Sequence, residues 1–270
     1  MRLGALCVLC AAVLSGGPAA QSLRVCADPN NLPFSNSKQE GFENELAQLL
    51  ARDLHRTLEY TWWPQRRGFV RNTVGTGRCD VIMGVPARYE LVLTTRPYYR
   101  STYVFVSQKR RHLGVRSFDD PQLSTLRIGV QLVGDDFANT PPAHALSARG
   151  LIGNIVGYSV FGDYSKPNPP ARVVDAVVNG EVDLAVVWGP LAGFLAQRAA
   201  VPLEIHPVTQ TRSLTPASIP FAFDIAMGVR RGDREMKDRL DRFIEHHHLD
   251  IDALLSRYGV PLSHPRKEQS

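Results

Sequence analysis

Three carboxylates, Glu90, Asp135 and Asp163, would be available for acid–base chemistry if the fold placed them in a cleft. Carboxylates with different surroundings can act as general acid and general base. The sequence contains no G-x-S-x-G, H-E-x-x-H or G-x-x-x-x-G-K-[ST] motif, so nothing in it marks a nucleophile, a zinc ion or a phosphate loop. The sequence therefore gives little support to an enzyme.

Two groups of residues have side chains of the types that bind metal ions in proteins. Residues 246–248 are consecutive histidines, and consecutive helical side chains point about 100° apart, so they do not converge easily on one ion. Asp135, Asp136 and Asp163 offer oxygen ligands for a hard cation but are dispersed in sequence. We expect no metal site and no cofactor, and we expect the histidines to lie near a helix end, where the helix dipole favours positive charge.

The cysteines bear on compartment and cross-linking. Cys7 and Cys10 fall in the first twenty residues, whereas Cys26 and Cys79 fall in two strand-like segments. An even pair in an exported protein favours a disulfide, so we expect Cys26 and Cys79 to be bonded, which requires the two strands to be neighbours. A metal or redox pair is the alternative, but these two cysteines are widely spaced and no histidine cluster lies near them.

The first twenty residues have the organisation of a secretory signal peptide. Arg2 is a short basic region, residues 3–14 are apolar, and small residues at 15–20 suit cleavage. The apolar stretch is shorter than the about 20 residues that a membrane-spanning helix needs. We therefore expect a cleaved signal peptide over residues 1–20, a periplasmic location and no membrane anchor. A buried first helix is the alternative.

Composition and charge narrow the function classes. With 44% hydrophobic and 21% charged residues, the 270-residue chain has enough apolar surface for one large core or two smaller ones. Its 31 basic and 26 acidic residues give a net charge of +5, but the basic residues are scattered along the chain. Nucleic-acid binding needs basic residues on one face, so we expect no nucleic-acid partner.

Hydrophobic periodicity predicts alternating strands and helices after the signal peptide. Three strands are predicted, over residues 23–27, 58–63 and 79–85. Two helices are predicted between them, over residues 42–54 and 68–74. This alternation indicates a parallel sheet covered on both faces, with binding loops at the carboxyl ends of the strands. Those loops are residues 28–35, 64–67 and 84–89.

A second unit of the same kind follows. Its predicted strands are residues 126–130, 153–160 and 182–188, and its predicted helices are residues 142–149 and 171–179. The last predicted elements are a loop over 201–220, a strand over 221–229, and helices over 234–248 and 251–258. Two such units, joined by crossover strands at 102–107 and 223–229, would leave a cleft between their loops.

Several short motifs resemble those of periplasmic solute-binding proteins of the two-lobed class. They are G-F-E-N-E-L at 41–46, G-R-C-D-V-I at 77–82, T-R-P-Y-Y at 95–99 and G-E-V-D-L-A at 180–185. The resemblance implies an α/β fold of the periplasmic binding protein-like type II class, with two α/β lobes, two crossover strands and an interlobe cleft. The lobes are then residues 21–105 with 224–270, and residues 106–223.

Longer strings are similar to the quinoprotein-dehydrogenase-associated branch of that class, the J proteins (MxaJ and XoxJ) encoded beside methanol dehydrogenases that use pyrroloquinoline quinone (PQQ). The strings lie at residues 23–35, 62–71, 95–104, 157–164 and 187–193. W-W-P-Q-R-R at 62–67 and D-P-N-N at 28–31 favour the branch beside lanthanide-dependent enzymes. The resemblance implies that the partner is a PQQ-dependent methanol dehydrogenase, in its mature or its apo form, with its cytochrome c as a further partner. We expect the protein to be a monomer.

The predicted cleft departs from the pattern of amino-acid-binding relatives. Those proteins bind the ligand carboxylate through an Arg that follows T-P-E, whereas this chain has Leu91 there, and Arg88 replaces it only if the loop moves. Relatives also begin a second-lobe helix with G-S or G-T, whereas this chain has Gly134 followed by Asp135 and Asp136. Because those two carboxylates would repel an α-carboxylate, the sequence disfavours a free amino acid.

Aromatic and basic residues are predicted to line the cleft instead. Such side chains are favoured at protein interfaces and also suit a sugar or a quinone, although each is equally compatible with a core aromatic or a solvated arginine. The predicted cleft and partner-binding residues are Asp28, Asn30, Phe34, Trp63, Arg66, Arg67, Arg88, Tyr99, Asp135, Asp136 and Trp188, with Tyr103 and Phe221 as further aromatic candidates.

The resemblance and the altered cleft together predict a non-catalytic accessory protein that binds a methanol dehydrogenase and assists its maturation or activation. The alternative is the substrate-binding protein of an ABC transporter for a small polar solute. A third class, an enzyme, would need Glu90, Asp135 or Asp163 as its cleft carboxylate.

Overall fold

A computed structural model describes residues 21–134, 139–209 and 220–263. The predicted signal peptide, Asp135 and Asp136 lie outside the described residues. The strands are β1 (Ser22–Ala27), β2 (Asn30–Asn31), β3 (Ser35–Asn36), β4 (Thr57–Trp62), β5 (Val81–Pro86), β6 (Leu93–Gln108), β7 (Ile128–Leu132), β8 (Ile155–Ser159), β9 (Leu184–Trp188), β10 (Leu203–Pro207) and β11 (Ala222–Val229). The α-helices are α1 (Phe42–Asp53), α2 (Phe69–Asn72), α3 (Pro141–Ser147), α4 (Arg172–Val178), α5 (Gly189–Ala196), α6 (Arg234–His246) and α7 (His248–Arg257).

Nine of these strands form one mixed sheet in the order β4-β1-β5-β11-β6-β9-β7-β8, with β10 also paired to β6. β1 is parallel to β4 and β5, and β7 is parallel to β8 and β9. We call the β4-β1-β5-β11 side, with α1, α2, α6 and α7, the first lobe. We call the side with β7, β8, β9 and β10, and with α3 and α4, the second lobe.

The long strand β6 joins the two lobes. Its residues 93–102 pair with β11, and its residues 103–108 pair with β9 and β10. β11 runs antiparallel to both β5 and β6. The segments predicted as crossovers therefore lie on β6 and β11, and the α/β architecture with two crossover strands is confirmed. The lobe boundaries at 105/106 and 223/224 stay a prediction.

Each lobe has its own apolar core, and β6 contributes side chains to both lobes. Successive side chains along β6 point to opposite faces of the sheet. In the second lobe, Phe105 packs on one face of the sheet, whereas Val104 and Val106 pack on the other. In the first lobe, α1 buries Phe42 and Leu46 completely against the sheet. The 3.6-residue period read from the sequence accounts for that helix, since its apolar positions fall on one face.

The predicted disulfide is confirmed. Cys26 on β1 is bonded to Cys79, which directly precedes β5, and their Cα atoms are 5.5 Å apart. The pairing of β1 with β5 brings the two cysteines together across 53 residues of sequence. Over the described ranges, no helix is both long and apolar enough to cross a membrane.

Several predicted elements differ from the structure. The predicted loop 201–220 contains β10, a short strand whose order comes from its ladder with β6, and the rest of that loop from residue 210 to 219 lies outside the described residues. Helix α5 begins where Gly189 and Pro190 were expected only to end a strand, because proline is well suited to the first turn of a helix. The predicted helix 234–248 is interrupted at His247, so α6 and α7 are separate.

Candidate functional site

A cavity of about 430 Å³ lies between the two lobes, where the loops at the carboxyl ends of their parallel strands face each other. Residues from both lobes and from β6 and β11 line it. The lining residues are Asn31, Phe34, Gln65, Pro86, Tyr103, Gln131, Val160, Phe161, Pro170, Trp188, Leu191, Phe223 and Ile225. A cavity of this size is in the range that encloses small ligands or a few side chains.

Three aromatic rings form one wall of the cavity. Tyr103 on β6, Trp188 at the end of β9 and Phe223 on β11 pack edge to face, with ring centroids 5.4 to 6.5 Å apart. The ladder places them together, because Tyr103 is the register partner of Trp188. Burial raises the pKa of the Tyr103 hydroxyl to about 12, so the hydroxyl remains uncharged at neutral pH.

Tyr99 belongs to the core of the first lobe and does not line the cavity. Burial and the nearby Glu43 carboxylate raise the pKa of the Tyr99 hydroxyl well above its usual value, although a hydrogen bond with Trp188 opposes the rise. The hydrogen bond between Tyr99 and Trp188 helps to hold the indole ring in its position. The wall is therefore a supported surface with defined side-chain positions.

The cavity lining carries no ionisable acid or base other than Tyr103 among the residues that the structure describes. Besides the Tyr103 hydroxyl and the Trp188 indole N–H, its polar side chains are the amides of Asn31, Gln65 and Gln131. The Asn31 amide donates to the Gln65 side-chain oxygen over 3.3 Å. The side-chain amide of Gln131, which is buried, donates to the carbonyl of Pro170 over 3.4 Å. This surface suits apolar and uncharged polar groups.

The loop that carries Phe34 is held down by the start of α1. The backbone N–H groups of Phe42 and Glu43 donate to the carbonyls of Pro33 and Phe34 over 2.8 and 2.9 Å. The contact requires a glycine, since a Cβ at Gly41 would lie 2.1 Å from the Phe34 carbonyl oxygen. The first glycine of the G-F-E-N-E-L motif therefore positions a cavity-lining ring.

Asp28 begins this loop, directly after β1, and is almost fully buried, with 3% of its surface exposed. Its carboxylate accepts hydrogen bonds from the backbone N–H groups of Asn30, at 2.8 Å, and Gln65, at 2.6 Å. It also accepts one from the hydroxyl of Tyr164, which belongs to the second lobe. Asp28 thus connects the loop after β1, the loop after β4 and the opposite lobe.

Glu43 is a second carboxylate close to this point. Its side chain lies over β5, so that a Cβ at Gly84 would be 2.2 Å from Glu43 Oε1. Burial raises the pKa of Glu43 to about 8, and the negative charge of Asp28 adds to the rise. The sequence placed Glu43 in the first turn of a helix but gave no sign that its carboxyl group would be protonated at neutral pH.

The structure brings together six of the predicted cleft residues, among them Tyr103 in the aromatic wall. Phe34 and Trp188 line the cavity. Asp28, Asn30 and Arg66 lie at the junction of the two lobes, where all three contact residues 164–168 of the second lobe. Those second-lobe partners were not predicted, although residues 157–164 formed one of the strings that carried the resemblance.

Other predicted cleft residues lie elsewhere. Trp63 packs against a small core below the loop, with the Arg78 guanidinium 5.5 Å above its ring. Arg88 is exposed, has a positive φ of 63°, donates its backbone N–H to the Thr94 hydroxyl, and is not among the residues that line the cavity. Phe221 packs against Phe118 in the second-lobe core, with the ring centroids 5.0 Å apart and the rings tilted by 31°.

Arg67 and Leu91 are also outside the cavity lining, and both are exposed. Leu91, at the position where amino-acid-binding relatives were expected to carry an arginine, is 53% exposed. With Arg88 outside the lining as well, no guanidinium of the described residues takes the place of the carboxylate clamp.

The residues considered for catalysis and metal binding have other surroundings. His247 contacts Asp250 and Asp53, at 2.9 and 3.1 Å, and these carboxylates raise its pKa. Asp163 is exposed and accepts the backbone N–H of Ser165. Across the ranges that the structure describes, no cluster of three or more His, Cys, Asp or Glu side chains is arranged to hold a metal ion.

Comparisons with known proteins agree with this geometry. The chain matches the family of bacterial extracellular solute-binding proteins, family 3, over residues 23–261. It is 30% identical to the protein MoxJ of Methylorubrum extorquens over 250 aligned residues. The alignment covers 91% of this chain and 83% of MoxJ.

Two crystal structures extend the likeness to the fold. The periplasmic binding protein XoxJ of Methylobacterium extorquens is 36% identical, with a TM-score of 0.73, over 90% of this chain and all of XoxJ. MxaJ of Methlophaga aminisulfidivorans is 27% identical, with a TM-score of 0.74, over the same shares of the two chains. The chain therefore belongs to the family 3 bacterial extracellular solute-binding proteins and, within them, to the MoxJ-, XoxJ- and MxaJ-like proteins.

Proposed function

We propose that this protein is a periplasmic, non-catalytic accessory of methanol oxidation that binds a PQQ-dependent methanol dehydrogenase and assists its maturation or activation. Membership of the MoxJ- and XoxJ-like proteins supports the association with that system. The observation that carries the proposal is the aromatic cavity whose described lining has no charged side chain. An amino acid would bring a carboxylate and an ammonium group into it without ionic partners, which is strongly unfavourable.

In this role the cavity and its rim hold a segment of the immature enzyme, so that the enzyme remains competent to receive its quinone or metal. Those groups belong to the partner, and this chain needs no cofactor. Phe34 and Trp188 would contact apolar side chains, while Asp28, Asn30 and Arg66 would contact polar ones. Trp63, Arg67, Arg88 and Tyr99 stay predicted partner-binding residues, although they do not line the cavity. Asp135 and Asp136, outside the described residues, also stay predicted partner-binding residues.

The remaining parts of the proposal concern the state of the protein. It is exported by a signal peptide over residues 1–20 and acts as a monomer. Its lobes are residues 21–105 with 224–270, and residues 106–223. The partner enzyme is of the lanthanide type, and its cytochrome c is a second candidate partner.

Binding to the apo dehydrogenase tests the proposal directly. Immobilised wild-type protein should retain the purified apo enzyme at micromolar concentration. The Gln65→Glu variant, which adds a charge to the cavity lining, should weaken retention about tenfold or more, because an apolar occupant cannot pair that charge. The matched Gln122→Glu variant, outside the lining, should bind like the wild type. No retention of either the apo or the mature enzyme would contradict the proposal.

Gene deletion measures the consequence in the cell. Loss of the protein should lower dehydrogenase activity and leave the isolated enzyme short of PQQ or metal. An enzyme isolated from the deletion strain with full activity and full cofactor content would exclude a role in maturation.

A transport receptor for a small polar solute is the second candidate, favoured by the solute-binding family itself and by the three cavity amides. Screening metabolites by thermal shift separates the candidates. A solute at about 100 times its Kd adds about 2.7 kcal/mol and raises the melting temperature by several degrees. An accessory protein should show no such shift with any small metabolite.

A further inference from the structure

Residues 160–168, which we call the latch loop, leave the carboxyl end of β8 in the second lobe and reach the first lobe. Tyr164 in this loop donates its hydroxyl hydrogen to the carboxylate of Asp28. The guanidinium of Arg66, from the loop after β4, lies 4.5 Å from the centre of the Tyr164 ring. The phenol is therefore held by a carboxylate at its hydroxyl and by a cation over its face.

A second contact between the lobes involves both the nitrogen and the oxygen of the Asn30 side-chain amide. The Asn30 amide donates to the carbonyl of Lys166 over 2.8 Å, and the Asn30 side-chain oxygen accepts the backbone N–H of Asn168 over 2.9 Å. This two-point contact fixes the distance and the angle between Asn30 and the latch loop. Asn30 binds only the backbone of the latch loop, whereas the contacts of Tyr164 depend on the Tyr164 side chain.

The Asp28 carboxylate also has two partners within its own lobe. Asp28 is oriented by the two backbone donors of its own lobe, Asn30 and Gln65. When the lobes close, the Asp28 carboxylate keeps these two hydrogen bonds and exchanges a bound water for one further donor. Its side chain therefore needs little rearrangement. The hydroxyl of Tyr164 is placed to be that donor.

The latch loop has its own internal order. The Ser159 hydroxyl accepts the backbone N–H groups of Phe161 and Gly162, and the Asp163 carboxylate accepts that of Ser165. Gly162 has a φ of 60°, and a Cβ there would lie 2.3 Å from the Pro169 side chain, so the turn requires glycine. A preformed loop loses little conformational entropy when it docks.

We propose that the latch loop closes this protein's interlobe cleft without a bound solute, with Tyr164 and Asn168 making the polar contacts across the cleft that a ligand would otherwise make. In a two-state protein, a ligand favours closure only by interacting better with the closed state than with the open one. Here the chain itself provides that difference. This closure concerns the ligand-free protein, so the inference does not depend on the proposed function.

Hydrogen exchange of the ligand-free protein tests the inference, after native mass spectrometry has shown that no small molecule is bound. The Tyr164→Phe variant keeps the ring beneath Arg66 and loses only the hydroxyl. Loss of a hydrogen bond to a carboxylate should lower the closed-to-open ratio roughly 10- to 100-fold, so the Asn168 amide should exchange faster by the same factor. The amide of Val186, inside β9, should keep its rate, which verifies that the fold is intact.

A matched control and a second measurement complete the test. Tyr158, on β8, lies under Arg172 within the second lobe, so Tyr158→Phe should leave the Asn168 exchange rate unchanged. The Asn30→Ala/Tyr164→Phe double variant should have a larger radius of gyration by small-angle X-ray scattering than the wild type. Equal exchange at Asn168 in the wild type and Tyr164→Phe, or equal radii for the wild type and the double variant, would overturn the inference.

Discussion

Replacing Glu43 by glutamine should stabilise the protein in alkaline solution. The side chain lies against β5 at Gly84, close to the buried carboxylate of Asp28. Folding raises the pKa of Glu43 from about 4.5 to about 8, because burial and the Asp28 charge both disfavour ionisation. Glutamine has nearly the same shape and no charge, so the variant removes the ionisation and leaves the packing in place.

The sign and size of the effect follow from proton linkage. Between about pH 4.5 and pH 8 the unfolded chain has lost the Glu43 proton while the folded chain retains it, so the free energy of unfolding falls as the pH rises. Each unit of pKa is worth about 1.4 kcal/mol, which gives an upper limit of about 5 kcal/mol above pH 8. We expect Glu43→Gln to gain about 2 to 5 kcal/mol at about pH 9 and almost nothing at about pH 4.

Urea unfolding of the wild type and the variant at several pH values between these limits measures the difference. Glu59→Gln is the matched control, since Glu59 is exposed on β4 and should change stability by no more than about 0.5 kcal/mol at any pH. A gain from Glu43→Gln that does not vary with pH, or a loss of stability at about pH 9, would refute the reasoning.

Two further predictions concern stability. Replacing Cys26 and Cys79 by alanine should lower the free energy of unfolding by about 4 kcal/mol, because the disulfide spans a sequence separation of 53. Thermal unfolding with and without reductant checks this. A wild-type melting temperature that does not change with reductant would contradict it. Asp250 and Asp53 raise the pKa of His247 above its usual value of about 6.5. The stabilisation that these ion pairs give the folded protein is therefore fully present below about pH 6.5 and is lost as the pH rises through the raised pKa. His247→Gln should cost under about 1 kcal/mol at about pH 5.5 and less at about pH 8.5, and an equal cost at both would argue against the ion pairs.

The regular elements of the first lobe could be predicted closely from the sequence. Strand 23–27 and helix 42–54 differ from β1 and α1 by one residue at one end. Both segments have clear apolar patterns and are bounded by residues with known turn or cap preferences, so local interactions and burial favour the same structure. The disulfide was predictable for a similar reason, because only one pair of cysteines remains after residue 20.

Elements that depend on tertiary partners were harder to predict. β10 is short and lies beside Pro202, and its regularity comes from pairing with β6. β6 itself is 16 residues long and contains Pro97, at a point where its register with β11 shifts. A proline at such an irregularity does not end the strand, since the backbone there need not donate to a ladder hydrogen bond.

The polar half of the site could be predicted only in part. Asp28 and Asn30 are in a loop at the carboxyl end of a strand, so their general position follows from the fold class. Their partner Tyr164 is 136 residues away from Asp28, and no periodicity or spacing relates the two. The burial of Glu43 against Gly84 is a similar case, because the close approach becomes visible only when α1 lies on β5.

The contacts of the latch loop favour a polypeptide over a small solute as the occupant of the cleft. Asn30 binds one backbone carbonyl and one backbone N–H, a pattern that any extended peptide can offer and that few small metabolites can. A peptide that displaces the latch loop could bond Asn30 through its own backbone and place an apolar side chain beside Trp188 and Phe223. A small solute would bury itself against the aromatic wall while leaving Asp28 without the donor that Tyr164 provides, and a buried carboxylate that loses a hydrogen bond is costly. Opening the cleft is therefore less unfavourable for a partner that replaces the contacts of the latch loop than for one that only fills the cavity.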